Sequence, residues 1–362
     1  MIEQIIIENY KSIKHAQLPL GKLNVLIGSN GSGKSNLISF FELVQSMIGQ
    51  KLGNYVLTRG GFDRFLYNGR KNSEYLKGLI DFDNTNAFFF KLLPMVAGNK
   101  AFIDYSGDFF NSKSSSTKNY SELWNRTIWD RSVEESGIMD SLQWRAEYLK
   151  KFLNSFTVYH FHDTSLRSPM RSQCKISDNA YLRHDASNLA AYLYRIQETE
   201  PKNFKLLEST IRSVAPYFQR FDLKPEVLPN EEIKLEWKEI DSDAYMDAYS
   251  LSDGTIRFIA LATLLIQDNL PATIIIDEPE LGLHPRAINK LAALIRRASV
   301  KSQIIVATQS VELLNNFDVE NVIVVDRKDT QTTFERLDKE RLKIWTEKYA
   351  LGEIWTMNLL KG

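Results

Sequence analysis

Leu23-Asn24-Val25-Leu26-Ile27-Gly28-Ser29-Asn30-Gly31-Ser32-Gly33-Lys34-Ser35-Asn36 is the stretch that decides how this chain folds. Leu23 to Ile27 is a short apolar run bounded by turn residues and reads as a buried strand. From Ser35 to Ile48 the apolar residues Leu37, Ile38, Phe40, Phe41, Val44 and Ile48 recur at helical spacing. Between them lies a complete G-x-x-x-x-G-K-S, Gly28 to Ser35, in the strand, turn and helix setting that gives the pattern its meaning. Its glycines let the backbone curl so that successive N–H groups point at phosphate oxygens, Lys34 brings a charge to the β- and γ-phosphates, and the Ser35 hydroxyl is a magnesium ligand. Gly28, Ser29, Asn30, Gly31, Ser32, Gly33, Lys34, Ser35 and Asn36 are therefore the candidate contacts for ATP. A glycine-rich turn that merely joins two elements is the bland alternative, and the flanking pattern weighs against it.

Outward along the chain, Ile274-Ile275-Ile276-Asp277-Glu278 is an apolar strand ending in two acids. A carboxylate delivered at the end of a buried strand suits magnesium, which makes Asp277 the second metal candidate. Glu278, next along, is placed to accept the proton of an attacking water. Leu251-Ser252-Asp253-Gly254-Thr255 opens a strongly apolar helix 22 residues before Asp277. Ser252 reads as its N-cap and Gly254 as a point of close backbone approach. After the strand Ile304 to Ala307 come Thr308-Gln309-Ser310.

The remaining chain frames these motifs. Strands are predicted at residues 2–7, 78–82, 87–92, 156–161, 321–325 and 332–337, and helices at 122–129, 141–154, 185–213, 255–267 and 285–298. A hairpin is predicted from 218–228 and 232–240 around Pro229-Asn230, and an exposed loop over the serine-rich 111–121. Strands alternating with helices predict a largely parallel sheet covered on both faces. The 362 residues carry 45 Lys+Arg against 45 Asp+Glu, so the net charge is zero and any grip on nucleic acid must be a local patch. The single cysteine, Cys174, makes no intramolecular disulfide and no zinc site. The start Met1-Ile2-Glu3-Gln4 has no basic, apolar leader and no run reaches bilayer length, so a cytoplasmic protein without a membrane span is expected.

Taken together, Ile7-Glu8-Asn9-Tyr10-Lys11-Ser12, the glycine-rich loop, Leu251 to Thr255 and Ile274-Ile275-Ile276-Asp277-Glu278-Pro279-Glu280-Leu281-Gly282-Leu283-His284-Pro285 resemble the ABC-type ATPases of the RecF, SMC and OLD group. Gly60-Gly61, Tyr67 to Arg70, Tyr159 to Ser165 and Leu351 to Trp355 are similar to bacterial AAA-type ATPases related to the OLD family. The resemblance implies an α/β P-loop NTPase fold of ABC-ATPase type, a mixed sheet flanked by helices with an inserted helical and β lobe. Residues 1–50 and 215–340 would form the head, 51–214 the insert, and 341–362 a tail packed on the head or on a partner. It also implies a homodimer or higher oligomer closed head-to-tail around Mg-ATP, with Ser252, Asp253 and Gly254 acting in trans and Glu280 to Pro285 at the dimer interface. Thr308-Gln309-Ser310 stand where such proteins usually carry a switch histidine, which makes Gln309 the third catalytic candidate beside Glu278 and Lys34; its amide can donate a hydrogen bond to a γ-phosphate but carries no charge. Only 52 residues follow Ser310, too few for the nuclease domain of OLD proteins. A separate effector, a nuclease or a toxin, in defence against phage is therefore expected, and a RecF- or SMC-like ATPase acting on DNA is the alternative. The ATP-binding subunit of a membrane transporter and a non-hydrolysing scaffold fit less well, and no membrane partner is expected. The loop equivalent to the transporters' Q-loop is expected over His162 to Arg171, with Gln173 its nominal glutamine.

Weaker features have ordinary readings. His160 and His162 alternate on a strand beside Asp163 and read as hydrogen-bonded histidines, not metal ligands. Asp241-Ser242-Asp243 reads as a surface turn, the basic residues Arg167, Arg171, Lys175 and Arg183 as a solvated face, and the aromatic tail as packed on its own chain.

Overall fold

The computed structural model describes residues 1–82, 86–95, 99–110, 126–224, 231–242 and 244–360. The chain divides into two compact units, Met1–Phe156 with Glu320–Glu340 and Thr157–Val319 with Arg341–Leu360.

The first unit is built on an antiparallel sheet in the order β2-β1-β4-β5-β6-β7. Its strands are β1 (Ile2–Tyr10), β2 (Ile13–Pro19), β4 (Leu76–Phe82), β5 (Asn86–Pro94), β6 (Ala101–Phe110) and β7 (Arg126–Val133). A second set joins β3 (Leu23–Ile27) in parallel to β16 (Val322–Lys328), which turns back antiparallel into β17 (Gln331–Arg336). Asp329 and Thr330 hold left-handed φ values of 46° and 71° at that turn. Helix α1 (Lys34–Ile48) buries Leu37, Ile38, Phe40, Phe41, Val44 and Ile48, the residues whose spacing predicts it. Phe40 stacks on Phe90 of β5 and meets Tyr10 of β1 edge-on, and Phe41 meets Phe156. Each such ring taken out of water contributes roughly 1.5–3 kcal/mol, so α1 is anchored to the sheet independently of what its N-terminus does. Two short helices, α2 (Leu52–Thr58) and α3 (Trp144–Leu153), complete the unit.

The second unit holds strand β8 (Phe156–Tyr159), which starts on the boundary, and the parallel pair β14 (Thr273–Asp277) and β15 (Gln303–Thr308). Helices α4 (Leu189–Thr199), α5 (Pro201–Val214), α6 (Asp253–Ile266), α7 (Pro285–Ser299) and α8 (Val311–Leu314) surround them in sequence. Helix α6 is buried from Thr255 to Ile266, the all-round apolar character of a core helix. The small strands β9 (Cys174–Lys175) and β11 (Glu232–Ile233) pair with each other, and β10 (Phe218–Phe221), β12 (Glu236–Glu239) and β13 (Tyr245–Asp247) form a three-stranded sheet. The tail forms α9 (Lys339–Thr346) and α10 (Leu351–Thr356). In α10, Ile354 is fully buried and the Gly352 N–H donates to Asn315 Oδ1 just beyond α8, so the tail packs on its own chain.

Several expectations need correction. The helix predicted over 122–129 is a strand from Arg126 onward, with residues 122–125 outside the described ones. Thr127, Ile128, Trp129 and Val133 are β-branched or aromatic, and pairing with β6 overrides a helical reading. The single helix over 185–213 is two, because Pro201 cannot continue α4 and instead opens α5. Strand β10 pairs antiparallel with β12 as the hairpin requires, but β11 intervenes and joins β9, and Pro229-Asn230 lies outside the described residues. Strand β2 was not predicted, whereas β3/β16 and β14/β15 are parallel pairs of the kind expected. The serine-rich 111–121 lies outside the described residues.

Candidate nucleotide site

In the first unit, the loop from Gly28 to Gly33 leaves a strand whose five residues are all buried and enters α1 without any side-chain cap. An uncapped helix start presents N–H groups and the positive end of the helix dipole, which is an anion site. Gly33 takes φ 112°, and a Cβ there would drive into the Thr332 side chain. Lys34 is only 4% exposed, and its Nζ donates to the carbonyls of Gly28 at 2.7 Å and Ser29 at 3.1 Å. The Ser32 hydroxyl is buried and has no hydrogen-bond partner among the described residues. Ser35 is exposed on the first turn of α1.

Residues far away in sequence hold this loop. Thr332 Oγ1 donates to the Ser32 carbonyl at 2.7 Å and shares a 2.6 Å bond with Ser12 Oγ. Asn36, expected among the nucleotide contacts, donates its amide to Ser12 Oγ at 2.6 Å. Thr332 carried no signal of its own in the sequence, and Ser12 stood only at the end of the Ile7 to Ser12 segment, with no role attached. Only the close approach demanded by Gly33 hints that some side chain must sit against it.

In the second unit, β14 delivers Asp277, and Glu278 follows with φ 41°, a left-handed conformation rare for a glutamate. The Gln309 amide donates to the Glu278 carboxylate. Glu280 accepts from Thr308 Oγ1 at 2.6 Å and from the Gln309 N–H at 3.3 Å, while its Oε2 is buried without a partner among the described residues. Burial, with a smaller contribution from the charge of Glu278, pushes the Glu280 carboxyl above the ordinary range. His162 bonds the Asp277 carbonyl at 2.8 Å through Nε2.

The segment before α6 is held by two buried arginines. Ser252 is the N-cap of α6, its Oγ accepting from the Thr255 N–H at 3.1 Å. At Gly254 a Cβ would come within 2.5 Å of the Gly282 carbonyl, so glycine is what allows the 280–284 segment to lie against the helix start. Arg257 donates from Nε to Phe161 O at 2.8 Å, from Nη2 to His162 O at 2.7 Å, and from Nη1 to Leu281 O. Arg171 donates to the carbonyls of Thr164 at 3.0 Å and Leu251 at 3.0 Å and to that of Ala248. Its remaining Nη2 meets Asp253 Oδ1 at 2.8 Å; the arginine side chain is 2% exposed and the aspartate 69%. Arg171 is thus a buried strut, not part of a solvated basic face. It also compensates the acid at a helix start that would otherwise disfavour an anion. Arg257 was missed entirely, since an arginine about one turn into an apolar helix gives no motif.

The other candidates separate from these two half-sites. Gln173 donates to Glu232, Arg183 pairs with Asp178, and Asp241 sits in a turn with φ 59°, with Asp243 outside the described residues. His160 is held by its N–H on the His184 carbonyl, and no cluster of metal-ligating side chains occurs among the described residues. No described helix is long and apolar enough to cross a membrane.

No curated protein matches the chain. Among solved structures, a SmcHead bound to the C-winged helix domain of ScpA is similar at 18% identity and TM-score 0.63, covering 95% of this chain and 99% of that one. The Smc head domain with an extended coiled coil, bound to the C-terminal domain of ScpA derived from Pyrococcus furiosus, is similar at 17% identity and TM-score 0.58, covering 96% and 98%. The shared fold is the mixed α/β architecture of an ABC-type P-loop ATPase, with a central sheet flanked by helices. Residues 23–315 match the family described as AAA domain, putative AbiEii toxin, Type IV TA system, and the chain belongs to that family.

Proposed function

We propose that this protein is a Mg-ATP-dependent switch that closes as a head-to-tail dimer and opens on hydrolysis. The observation that carries the reading is the phosphate cradle: an uncapped α1, Lys34 turned onto the loop's own carbonyls, and the partnerless Ser32 hydroxyl. A phosphate chain would draw Lys34 Nζ from Gly28 and Ser29, accept from the loop N–H groups, and give Ser32 a partner. Ser35 and Asp277 are hard oxygen donors of the kind magnesium takes, and magnesium when bound offsets phosphate charge. Glu278 would accept the proton of the attacking water, with Gln309 orienting its carboxylate. Ser252 and Gly254 would serve the nucleotide of the partner copy, with Arg171 silencing the charge of Asp253.

The dimer's task is read from two directions. The motif likeness to the OLD group supports control of a separate nuclease or toxin in phage defence. The fold shared with Smc heads, which in the solved examples are bound to ScpA domains, supports a RecF- or SMC-like ATPase working on DNA with a partner protein. The second reading is the better supported, because the fold shared with Smc heads runs over nearly the whole of this chain.

The test is ATP hydrolysis and ATP-dependent dimerisation by the wild-type chain and two variants. Glu278→Gln is expected to cut turnover about 10²–10⁴-fold, the usual worth of a general base, while ATP still binds and the dimer persists. Lys34→Ala is expected to abolish both. Unchanged turnover in Glu278→Gln removes the assignment of the base.

A further inference from the structure

Helix α7, Pro285–Ser299, contains no Asp or Glu in fifteen residues, in a chain whose acids and bases are equal in number. Its inner face buries Ala287, Ile288, Leu291, Ala292, Leu294, Ile295 and Ala298. Its outer face is exposed at Arg286, Asn289, Lys290, Ala293, Arg296 and Arg297. At 100° per residue, Arg286, Lys290 and Arg297 fall within about 40° of one another, a single stripe about 16 Å long. Arg296 lies beside it with Nη1 on the Asn316 carbonyl at 2.8 Å, and Lys301, loosely paired to Asp268 at 3.8 Å, continues it. None of Arg286, Lys290, Arg296 and Arg297 forms a salt bridge among the described residues.

This arrangement costs the helix stability. Arg286 and Lys290 are like charges four apart, where a solvated helix usually gains from opposite ones. The last-turn Arg296 and Arg297 favour the helix dipole, but Arg286 in the first turn opposes it. A polyanion on this face would remove the repulsion. We propose that the exposed face of α7 docks the phosphodiester backbone of a nucleic-acid duplex. Positive charge without a large apolar anchor is what distinguishes it from a membrane helix or a protein hot spot, since the exposed apolar residues of α7 are only Pro285 and Ala293. A duplex carries one phosphate charge per strand for every 3.4 Å of axis, and Arg, Lys and Asn are ordinary phosphate donors. The stripe starts directly after the segment that Arg257 and Gly254 hold against α6. The inference rests on the reading of an ATPase working on DNA and names the face that would meet the duplex, while ATP binding and hydrolysis are tested separately from it.

The experiment measures binding of the full chain to a fluorescein-labelled 30-base-pair DNA duplex between 50 and 200 mM KCl, with and without Mg-ATP. Substituting R286A, K290A and R297A together keeps good helix formers on an exposed face, so the fold should survive. The triple variant is expected to bind at least about 10-fold more weakly at 50 mM KCl, and its log–log salt slope to be shallower by about 2.7, the worth of three phosphate contacts. A control that removes the exposed Lys14, Lys22 and Lys71 should stay within about 2-fold of wild type. ATP binding by both variants should match wild type, which reads the ATPase half of the molecule independently. The proposal is overturned if wild type does not bind duplex at 50 mM KCl in either nucleotide state, if the α7 variant stays within 2-fold, or if the control loses as much. It is equally overturned if polyglutamate, or vesicles containing phosphatidylserine, occupy the stripe as well as duplex does.

Discussion

The two half-sites are built on opposite principles. In the first unit the loop from Gly28 to Gly33 is contiguous, made mostly of backbone, and shaped by what is absent: a Cβ at Gly33 and a cap on α1. In the second unit, pieces from five stretches, 160–171, 248–257, 277–278, 280–282 and 307–309, are drawn together by side chains, above all Arg171 and Arg257. A site set by backbone should break when atoms are added, and one set by side-chain forks when atoms are removed.

Gly33→Ala tests the first half and should have the largest effect. It adds a left-handed strain of about 1–3 kcal/mol and an overpacking cost of about 1–3 kcal/mol against Thr332. ATP binding measured by calorimetry should be lost or weakened more than 100-fold, and Thr332→Ala in the same chain should return only the packing part. Arg171→Ala tests the second half. It removes a fork from the buried carbonyls of Thr164, Ala248 and Leu251, and should cost about 2–4 kcal/mol in urea unfolding. Asp253→Asn, at the exposed end of the same pair, should cost less than about 1 kcal/mol. Equal losses from the two would mean that the ion pair, and not the strut, holds the segment.

The same contrast explains what the sequence disclosed. A backbone site leaves glycines at fixed spacing, so Gly28 to Ser35 and the capped start at Ser252 were legible, as were the strands β3 and β14 that deliver them. A fork-built site leaves a lone arginine whose partners are carbonyls, which any residue supplies. Arg257 was therefore invisible, and Arg171 was misread as surface charge. Strand β7 failed for a related reason: its pairing with β6 is non-local, and local propensity alone left it ambiguous. Ser12 and Thr332, 320 residues apart, meet only in the fold.

Ser252→Ala lies between the two principles, since a side chain there satisfies a backbone N–H. Losing the N-cap bond to Thr255 should cost about 1 kcal/mol, read as a small fall in the urea midpoint. Because α6 is anchored by its buried length, the helix should persist by circular dichroism while trans activity falls. A loss as large as that of Arg171→Ala would show that the cap, not the arginine, organises this end of the helix.

Glu280 should give the smallest effect, and one that only a buried carboxylate produces. Its carboxyl is held above its ordinary range mainly by burial, so the native state keeps the proton to higher pH than the unfolded chain does. Below the unfolded value, near 4.3, both states are protonated and the native state bears no penalty. As pH rises through the native value, the charged form must exist inside the protein, and that stability is lost. Glu280→Gln cannot ionise, so between about pH 4 and 8 its urea midpoint should fall less steeply than that of wild type. The nearby charge of Glu278 contributes to the shift after burial, so Glu278→Gln should narrow the difference in slope without closing it. If Glu278→Gln closed it completely, the charge of Glu278 and not burial would be what holds the Glu280 carboxyl above its ordinary range.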